Sequence, residues 1–206
     1  RKKQRTRQLI ADAARRQFAE RGIEAERVSE VAEAADVSEA TVFNYFPTKE
    51  DLFYSGLEAF EEELLSAIRE REAGESVLDA FARFVLTPRG LLASPAPEAE
   101  ERLASITRVI EESPALLARE QSVFAGYTDS LARLIADEVV AKERDVEPWV
   151  AANALMGVHR SVVAYSRRQI LAGVRNPTLS RRVRAQTKRA LALLEHGLGD
   201  YARSRS

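Results

Sequence analysis

Hydrophobic residues recur at intervals of three and four positions along almost the whole chain, and no alternating stretch is long enough to indicate a β-strand. In the first predicted helix, residues 6–21, this spacing places Ile10, Ala14 and Phe18 on one face. Residues 28–35 repeat the same spacing for barely two turns. The pattern therefore predicts an all-α protein.

Capping residues and helix breakers mark where the predicted helices begin and end. Gly22 suits the left-handed end of helix 1, Ser38 is a favourable N-cap for a third helix over residues 39–46, and Pro47 ends that helix. Predicted helices 4 to 9 cover residues 48–72, 76–86, 98–111, 114–142, 147–173 and 177–201. We therefore expect about nine helices, two of them very short.

The two short helices, 2 and 3, are joined by a turn of only three residues, 36–38. A short helix, a tight turn and a second short helix form the helix-turn-helix arrangement, whose second helix enters the major groove of DNA. The spacing turns Val37, Val42 and Phe46 toward the other helices. It leaves four side chains on the outer side of helix 3, which are Ala40, Thr41, Asn44 and Tyr45.

These outer side chains have the chemistry that recognition in a groove requires. Threonine offers a hydroxyl and a methyl group, asparagine can form two hydrogen bonds with adenine, and tyrosine can reach a phosphate. Lys49, at the start of helix 4, can add a phosphate contact. The spacing alone leaves a second interpretation open, an ordinary helical hairpin with a polar face.

Composition and charge narrow the class of protein. A chain of 206 residues that is 45% hydrophobic and 31% charged is typical of a globular protein, and the lack of cysteine excludes a disulfide framework. The longest stretch without Asp, Glu, Lys or Arg, residues 148–159, is too short to span a bilayer, so we expect no membrane partner and a cytoplasmic location. The net charge of −1 hides a basic N-terminal segment that can attract a polyanion.

One segment carries a specific combination of residue types, which are Val31-Ala32, Val37-Ser38, Thr41, Phe43, Tyr45-Phe46, Lys49 and Leu52. With these residues at this spacing, residues 28–53 closely resemble the N-terminal signature of the tetracycline-repressor (TetR) family of bacterial transcriptional regulators. The resemblance is strong over residues 5–55. Beyond them only the number, lengths and order of the helices agree.

Three residues depart from the pattern of that family. Its members often have Gly where this chain has Asp36, but Asp tolerates a left-handed backbone, so we expect the turn to survive. A capping Thr is common at the position of Arg27. The arginine lacks the side-chain oxygen acceptor of threonine but can bind a phosphate. Many members have Tyr at the position of Phe43, which either touches a thymine methyl or packs.

The resemblance implies a three-helix helix-turn-helix head and a C-terminal helical-bundle body, which we place at residues 1–50 and 51–206. It implies a ligand-responsive homodimer that binds a palindromic operator in double-stranded DNA, acts as a repressor, and is released by a small-molecule inducer. Residues assigned to DNA binding, by position or by chemistry, are Arg27, Ser38, Ala40, Thr41, Phe43, Asn44, Tyr45 and Lys49.

The predicted body has polar groups and aromatic rings on its apolar helix faces, as a ligand pocket requires. The candidate pocket residues are Phe84, Ile106, Ile110, Phe124, Tyr127, Trp149, Asn153, Met156 and His159. They would suit a hydrophobic or aromatic inducer, but they also fit an ordinary core. Predicted helices 8 and 9 are candidates for the dimer interface, because helix 9 has an apolar stripe and helix 8 carries small residues such as Gly157.

Motifs of the common catalytic classes are missing from the sequence. There is no cysteine nucleophile and no Gly-rich phosphate loop, and His159 and His196 lack the spacing from Glu that a di-iron bundle needs. We therefore expect no metal, no cofactor and no enzymatic activity. The alternatives are a helical protein-interaction adaptor, which leaves the outer face of helix 3 unexplained, and a helical enzyme with an incidental helix-turn-helix.

Overall fold

Ten α-helices and two 3₁₀ helices occur among the residues that the computed structural model describes, 2–23, 26–94, 96–140, 142 and 145–197. The α-helices are α1 Lys2–Arg21, α2 Val28–Ala34, α3 Glu39–Tyr45, α4 Lys49–Phe53, α5 Glu58–Arg69, α6 Val77–Leu86, α7 Pro97–Glu112, α8 Pro114–Glu138, α9 Glu147–Leu171 and α10 Thr178–His196. The 3₁₀ helices are Tyr54–Leu57 and Gly90–Ala93. These residues include no β-strand, and the predicted all-α fold is confirmed.

The predicted fourth helix is divided in the structure, which raises the number of helices from nine to ten. The α-helical pattern ends at Phe53, continues as the 3₁₀ helix Tyr54–Leu57, and resumes in α5. Ser55 and Gly56 lie in this segment, and both residue types weaken an α-helix, Ser by competing for backbone hydrogen bonds and Gly by its conformational entropy. Predicted helices 5 to 9 therefore correspond to α6 to α10.

Three other helix ends differ from the sequence-based bounds. Helix α1 begins at Lys2, four residues before its predicted start. Helix α8 ends at Glu138 rather than near residue 142, and Val140 then adopts a left-handed φ of 52°. Helix α10 extends to His196 and is followed by Gly197, whose φ is 74°. The predicted end of this helix at residue 201 lies outside the described residues.

The contacts divide the chain into two compact units, residues 1–61 with 104–122 and residues 62–103 with 123–206. The first unit has an apolar core drawn from α1 to α4, whose buried residues include Ile10, Ala14, Val31, Val42, Phe46 and Leu52. A second cluster in the same unit joins Ile23 and Tyr54 to Ile110 of α7 and Leu116 of α8. The division of the chain at residues 50 and 51 stays a prediction.

The second unit contains the remaining helices. Helix α10 packs along α9 and against α6, and α6 also contacts α9. The largest fully buried side chains of this unit are Leu64, Ile68, Phe81, Leu131 and Met156. Among the described residues, no helix combines the length and the apolar character that crossing a membrane would require.

Candidate nucleic-acid interface

The turn between α2 and α3 has the left-handed residue that the sequence predicts. Asp36 has a φ of 54°, and its N–H donates to the carbonyl of Glu33 over 3.1 Å. The N–H of Val37 donates to the carbonyl of Ala32 over 3.0 Å, so two hydrogen bonds close the turn. An aspartate in this conformation has a smaller steric cost than most side chains. The departure at Asp36 therefore leaves the geometry of the turn intact.

Ser38 fixes the start of α3. Its hydroxyl accepts a hydrogen bond from the N–H of Thr41 over 3.1 Å, as an N-cap does, and lies 2.8 Å from the Thr41 hydroxyl. This cap satisfies one of the free donors in the first turn of the helix. The contact also holds the Thr41 hydroxyl close to the cap. Ser38 and Thr41, which were both assigned to DNA binding, thus lie together at one end of α3.

Helix α3 has one buried side and one side exposed to solvent. Val42 and Phe46 are 1% and 2% exposed and lie in the core of the first unit. Phe43 is 44% exposed, and Ala40 and Asn44 are also exposed. A phenylalanine that remains on the surface of such a helix is available for an apolar contact with a ligand.

Tyr45 departs from the predicted arrangement. It is partly buried and packs against the core of the first unit rather than lying wholly on the outer side of α3. Tyr45 follows the buried Val42 by three residues, so it lies at the edge of the apolar face of α3. Thr41 is partly buried as well. The fully outward surface of α3 consists of Glu39, Ala40, Phe43 and Asn44.

The start of α4, where Lys49 lies, is held by a reciprocal cap. The N–H of Asp51 donates to the Thr48 hydroxyl over 3.0 Å, while the Asp51 carboxylate accepts from the Thr48 N–H and hydroxyl over 3.0 and 2.8 Å. The second carboxylate oxygen of Asp51 pairs with Arg119 of α8 at 2.5 Å. Arg119 was not predicted to contact this site, because nothing in a linear pattern connects residues so far apart.

Arg27 precedes α2 and lacks the side-chain acceptor that a capping threonine would provide. The Glu30 carboxylate accepts a hydrogen bond from the Arg27 N–H over 3.4 Å and replaces half of the usual reciprocal cap. The neighbouring Glu26 carboxyl and the backbone N–H of Arg27 lower the pKa of Glu30. Arg27 itself is exposed, as a phosphate ligand must be.

Glu26 is a buried acid in the same unit that sequence reasoning missed. It is 1% exposed, and its carboxylate lies 3.7 Å from the guanidinium of Arg21. Burial raises the pKa of Glu26, the neighbouring Glu30 carboxylate raises it further, and the charges of Arg21 and Lys49 lower it in part. The carboxyl of Glu26 therefore holds its proton to a higher pH than an exposed glutamate does.

The candidate pocket residues fall into three groups. Phe84, Tyr127 and Met156 are buried in the second unit, where the ring of Phe124 lies 5.4 Å from His159 and 6.1 Å from Tyr127, centroid to centroid. Ile106 and Ile110 lie in the first unit, at the cluster around Ile23 and Tyr54. Trp149 is 40% exposed, and the exposed Asn153 donates to its carbonyl over 2.8 Å. The assignment of all nine residues to a ligand pocket stays a prediction.

His159 and Arg160 are neighbouring polar residues of α9, and the ring of His159 contacts Phe124. Burial and the neighbouring charge of Arg160 lower the pKa of His159 to about 4. The imidazole is therefore neutral at pH 7. The guanidinium of Arg160 lies 3.4 Å from the hydroxyl of Thr128, which is buried and donates to the carbonyl of Phe124 over 2.8 Å.

Comparisons with known proteins agree with this geometry. Residues 10–55 match the family model described as bacterial regulatory proteins, tetR family. The transcriptional regulator TcmR of Streptomyces glaucescens is 30% identical over 165 residues, which is 79% of this chain and 73% of that protein. The transcriptional regulator LuxR of Vibrio harveyi is 53% identical over 45 residues, 22% of each chain.

The fold is also similar to solved structures. A TetR transcriptional regulator from Rhodococcus sp. RHA1 superposes with a TM-score of 0.52 and 20% identity, over 94% of this chain and 99% of that one. The match to TcmR extends well beyond the helix-turn-helix and includes most of both proteins. The chain belongs to the TetR family of bacterial transcriptional regulators, whose DNA-binding helix-turn-helix is α2 and α3 in this structure.

Proposed function

We propose that this protein is a ligand-responsive repressor that binds a palindromic operator as a homodimer and leaves it when a small-molecule inducer binds. The observation that carries the proposal is the outward surface of α3, where an apolar ring and an amide stand on a helix anchored by buried Val42 and Phe46. A single helix-turn-helix reads few base pairs, so a symmetric pair of heads would supply the specificity that an operator needs.

The outer residues of α3 would contact different parts of the DNA, according to the chemistry of their side chains. Asn44 would bond the edge of an adenine in the major groove, and Phe43 and Ala40 would contact thymine methyl groups. Thr41 would lie beside them near the cap. Ser38, Lys49 and Arg27 would contact phosphates on either side of the groove, and Tyr45 would reach a phosphate with its hydroxyl from the flank.

The dimer would form through α9 and α10. The exposed side of α9 carries small and apolar residues, including Val150, Ser161, Ala164 and Leu171, and an added Cβ at Gly157 would meet open space. Leu193 of α10 is also exposed. Apolar side chains flanked by small residues would let two such helices approach closely in an isologous contact. The symmetry of this contact would match the palindrome of the operator.

Release by an inducer would follow from a shift between two conformations. An inducer that binds more tightly to the conformation with wrongly spaced heads lowers the affinity for the operator by that difference in affinity. We place its binding site among the buried aromatic residues of the second unit, Phe84, Phe124 and Tyr127, with His159. The inducer would then be hydrophobic or aromatic.

The test is to select binding sites from random duplex DNA with the purified protein and to compare the winning duplex with scrambled DNA at two salt concentrations. The proposal predicts a palindrome whose half-sites are about one helical turn apart, or a multiple of it, bound at least about 10³-fold more tightly than scrambled DNA. Weak, salt-dependent binding without an enriched sequence would contradict it and favour an adaptor role.

The variant Lys49→Ala separates phosphate contacts from reading of bases. We expect it to weaken binding to the selected and the scrambled duplex by similar factors and to reduce the dependence of affinity on salt. Lys142→Ala removes an exposed lysine of the second unit and serves as the matched control, with no change expected. A loss of preference between the two duplexes in Lys49→Ala would argue against a role limited to phosphates.

A further inference from the structure

Arg160 of α9 is a partly buried cation with little compensation from the protein. Among the described residues, its recorded polar contact is the hydroxyl of Thr128, at 3.4 Å, and no carboxylate forms an ion pair with it. A guanidinium has five N–H donors, so a single long contact leaves most of them available. Placing a charge away from water without a counterion is costly, which favours binding of an anion at this position.

The neighbours of Arg160 define the chemistry of this position. Thr128 is 4% exposed, and its own hydrogen goes to the carbonyl of Phe124, which leaves the lone pairs of its hydroxyl for Arg160. The rings of Phe124, Tyr127 and His159 form a group, with the Phe124 and His159 planes nearly perpendicular at 88°. One positive group therefore lies beside a cluster of three rings.

The protonation state of His159 supports the same conclusion. Burial and the charge of Arg160 lower the pKa of His159 to about 4, so the imidazole is neutral at pH 7 and adds no second positive charge. A neutral imidazole adds an aromatic face to the group of rings. At pH 7 this cluster thus presents a single fixed charge, on Arg160.

From this arrangement we propose that Arg160 is the anchor for a carboxylate in the ligand site, and that the inducer is a small aromatic acid. Its carboxylate accepts hydrogen bonds from the guanidinium of Arg160, and its ring packs against Phe124 and Tyr127. Guanidinium and carboxylate match in a planar, two-pronged geometry, which selects an acid over a neutral analogue of the same shape. This inference rests on the proposed ligand response and specifies its chemistry.

The experiment measures binding of matched pairs of compounds to the purified full chain without DNA, by calorimetry and thermal melting. The pairs are 2-naphthoate with 2-naphthalenemethanol, and benzoate with benzyl alcohol. We expect at least one acid to bind about tenfold or more tightly than its alcohol, which is the usual gain from a charged hydrogen-bonded pair. Equal binding of acid and alcohol, or no binding of either acid at about 1 mM, would overturn the proposal.

Two variants tie the preference to Arg160. Arg160→Gln should abolish the preference for the acid. Arg160→Lys keeps the charge but not the planar, two-pronged geometry, and should keep part of the preference. Arg133→Gln, at an exposed position of α8 in the same unit, is the matched control and should behave as the wild type. An unchanged preference in Arg160→Gln would refute the role of Arg160, and circular dichroism spectra confirm that each variant is folded.

Binding to the selected operator, measured with the same preparations, separates this inference from the proposed function. If Arg160→Gln still binds the operator and the acid releases only the wild type from it, the result supports both the proposed function and the anion site at Arg160. If the operator is bound but no acid of the panel binds or releases the protein, the anion site is wrong while the DNA-binding function stands. Failure of every preparation to bind a specific duplex would instead contradict the proposed function.

Discussion

Replacing His159 by phenylalanine should remove a large part of the acid sensitivity of the second unit. The pKa of His159 is lowered from its ordinary value of 6.5 to about 4 in the folded protein, first by burial and then by Arg160. Between these two values the unfolded chain binds a proton that the folded chain does not. His159 therefore contributes stability that is fully present above pH 6.5 and is lost as the pH falls toward 4.

The size of this effect follows from the difference between the two pKa values. At pH 5.0 the pH is about 1.5 units below the pKa of His159 in the unfolded chain. Since one unit corresponds to about 1.4 kcal/mol, protonation between pH 7.5 and 5.0 stabilises the unfolded state by about 2 kcal/mol relative to the folded state. Phe124 packs edge to face with His159, and a phenylalanine ring can keep that contact. Other titrating groups, including Glu26 with its opposite sign, remain in the variant and cancel in the comparison.

The assay is urea denaturation at pH 7.5 and 5.0, followed by the fluorescence of Trp149. Trp149 is the one tryptophan of the chain and lies on α9 with His159. We expect the wild type to lose about 2 kcal/mol more unfolding free energy than His159→Phe between the two pH values. His159→Gln, which also cannot titrate, should resemble His159→Phe. Equal losses in all three proteins would refute the partly buried, neutral state of His159.

Three further substitutions test the first unit. Val42→Ala empties space in its core and should lower the unfolding free energy by about 1–3 kcal/mol in urea denaturation, whereas a change near zero would contradict the burial of this face of α3. Thr48→Ala removes the cap of α4 and should cost about 1 kcal/mol, and an unchanged urea midpoint would show that the cap is not needed. Glu26→Gln removes an acid whose pKa is raised in the folded protein. Such an acid stabilises the folded protein at low pH, and this stabilisation is lost as the pH rises. This variant should therefore raise the urea midpoint at pH 7.5 and flatten its pH dependence, and a lower midpoint would show that the charge of Glu26 is needed by Arg21.

The local parts of the fold could be predicted because their determinants are close in sequence. The cap at Ser38, the stop at Pro47 and the inward positions of Val42 and Phe46 depend on residues within about two turns of helix. The same applies to the turn at Asp36, because aspartate tolerates a left-handed backbone better than most residues do. These features were sufficient to place Ala40 and Asn44 on the outer surface of α3, but not to place Thr41 and Tyr45, which are partly buried.

The remaining features depend on contacts between distant residues. The pairing of Arg119 with Asp51 and the burial of Ile110 beside Ile23 bring parts of α7 and α8 into the first unit, which no local pattern specifies. Glu26 lies in a charged stretch that would ordinarily be solvated, and its burial results from how the neighbouring helices pack. Tyr45 was predicted to lie on the outer side of α3 but is partly buried, because the spacing does not decide whether a residue at the edge of a helix face is covered or exposed.

The most direct test of the central claim is to repeat the selection from random DNA with Asn44→Ala. We expect the variant to lose its preference at one base pair in each half-site, symmetrically, and to bind the wild-type operator about 1–3 kcal/mol more weakly. Gln121→Ala, which removes an exposed amide from α8, is the control and should select the wild-type sequence. If Asn44→Ala selects the same palindrome with the same affinity, α3 does not read the operator as proposed.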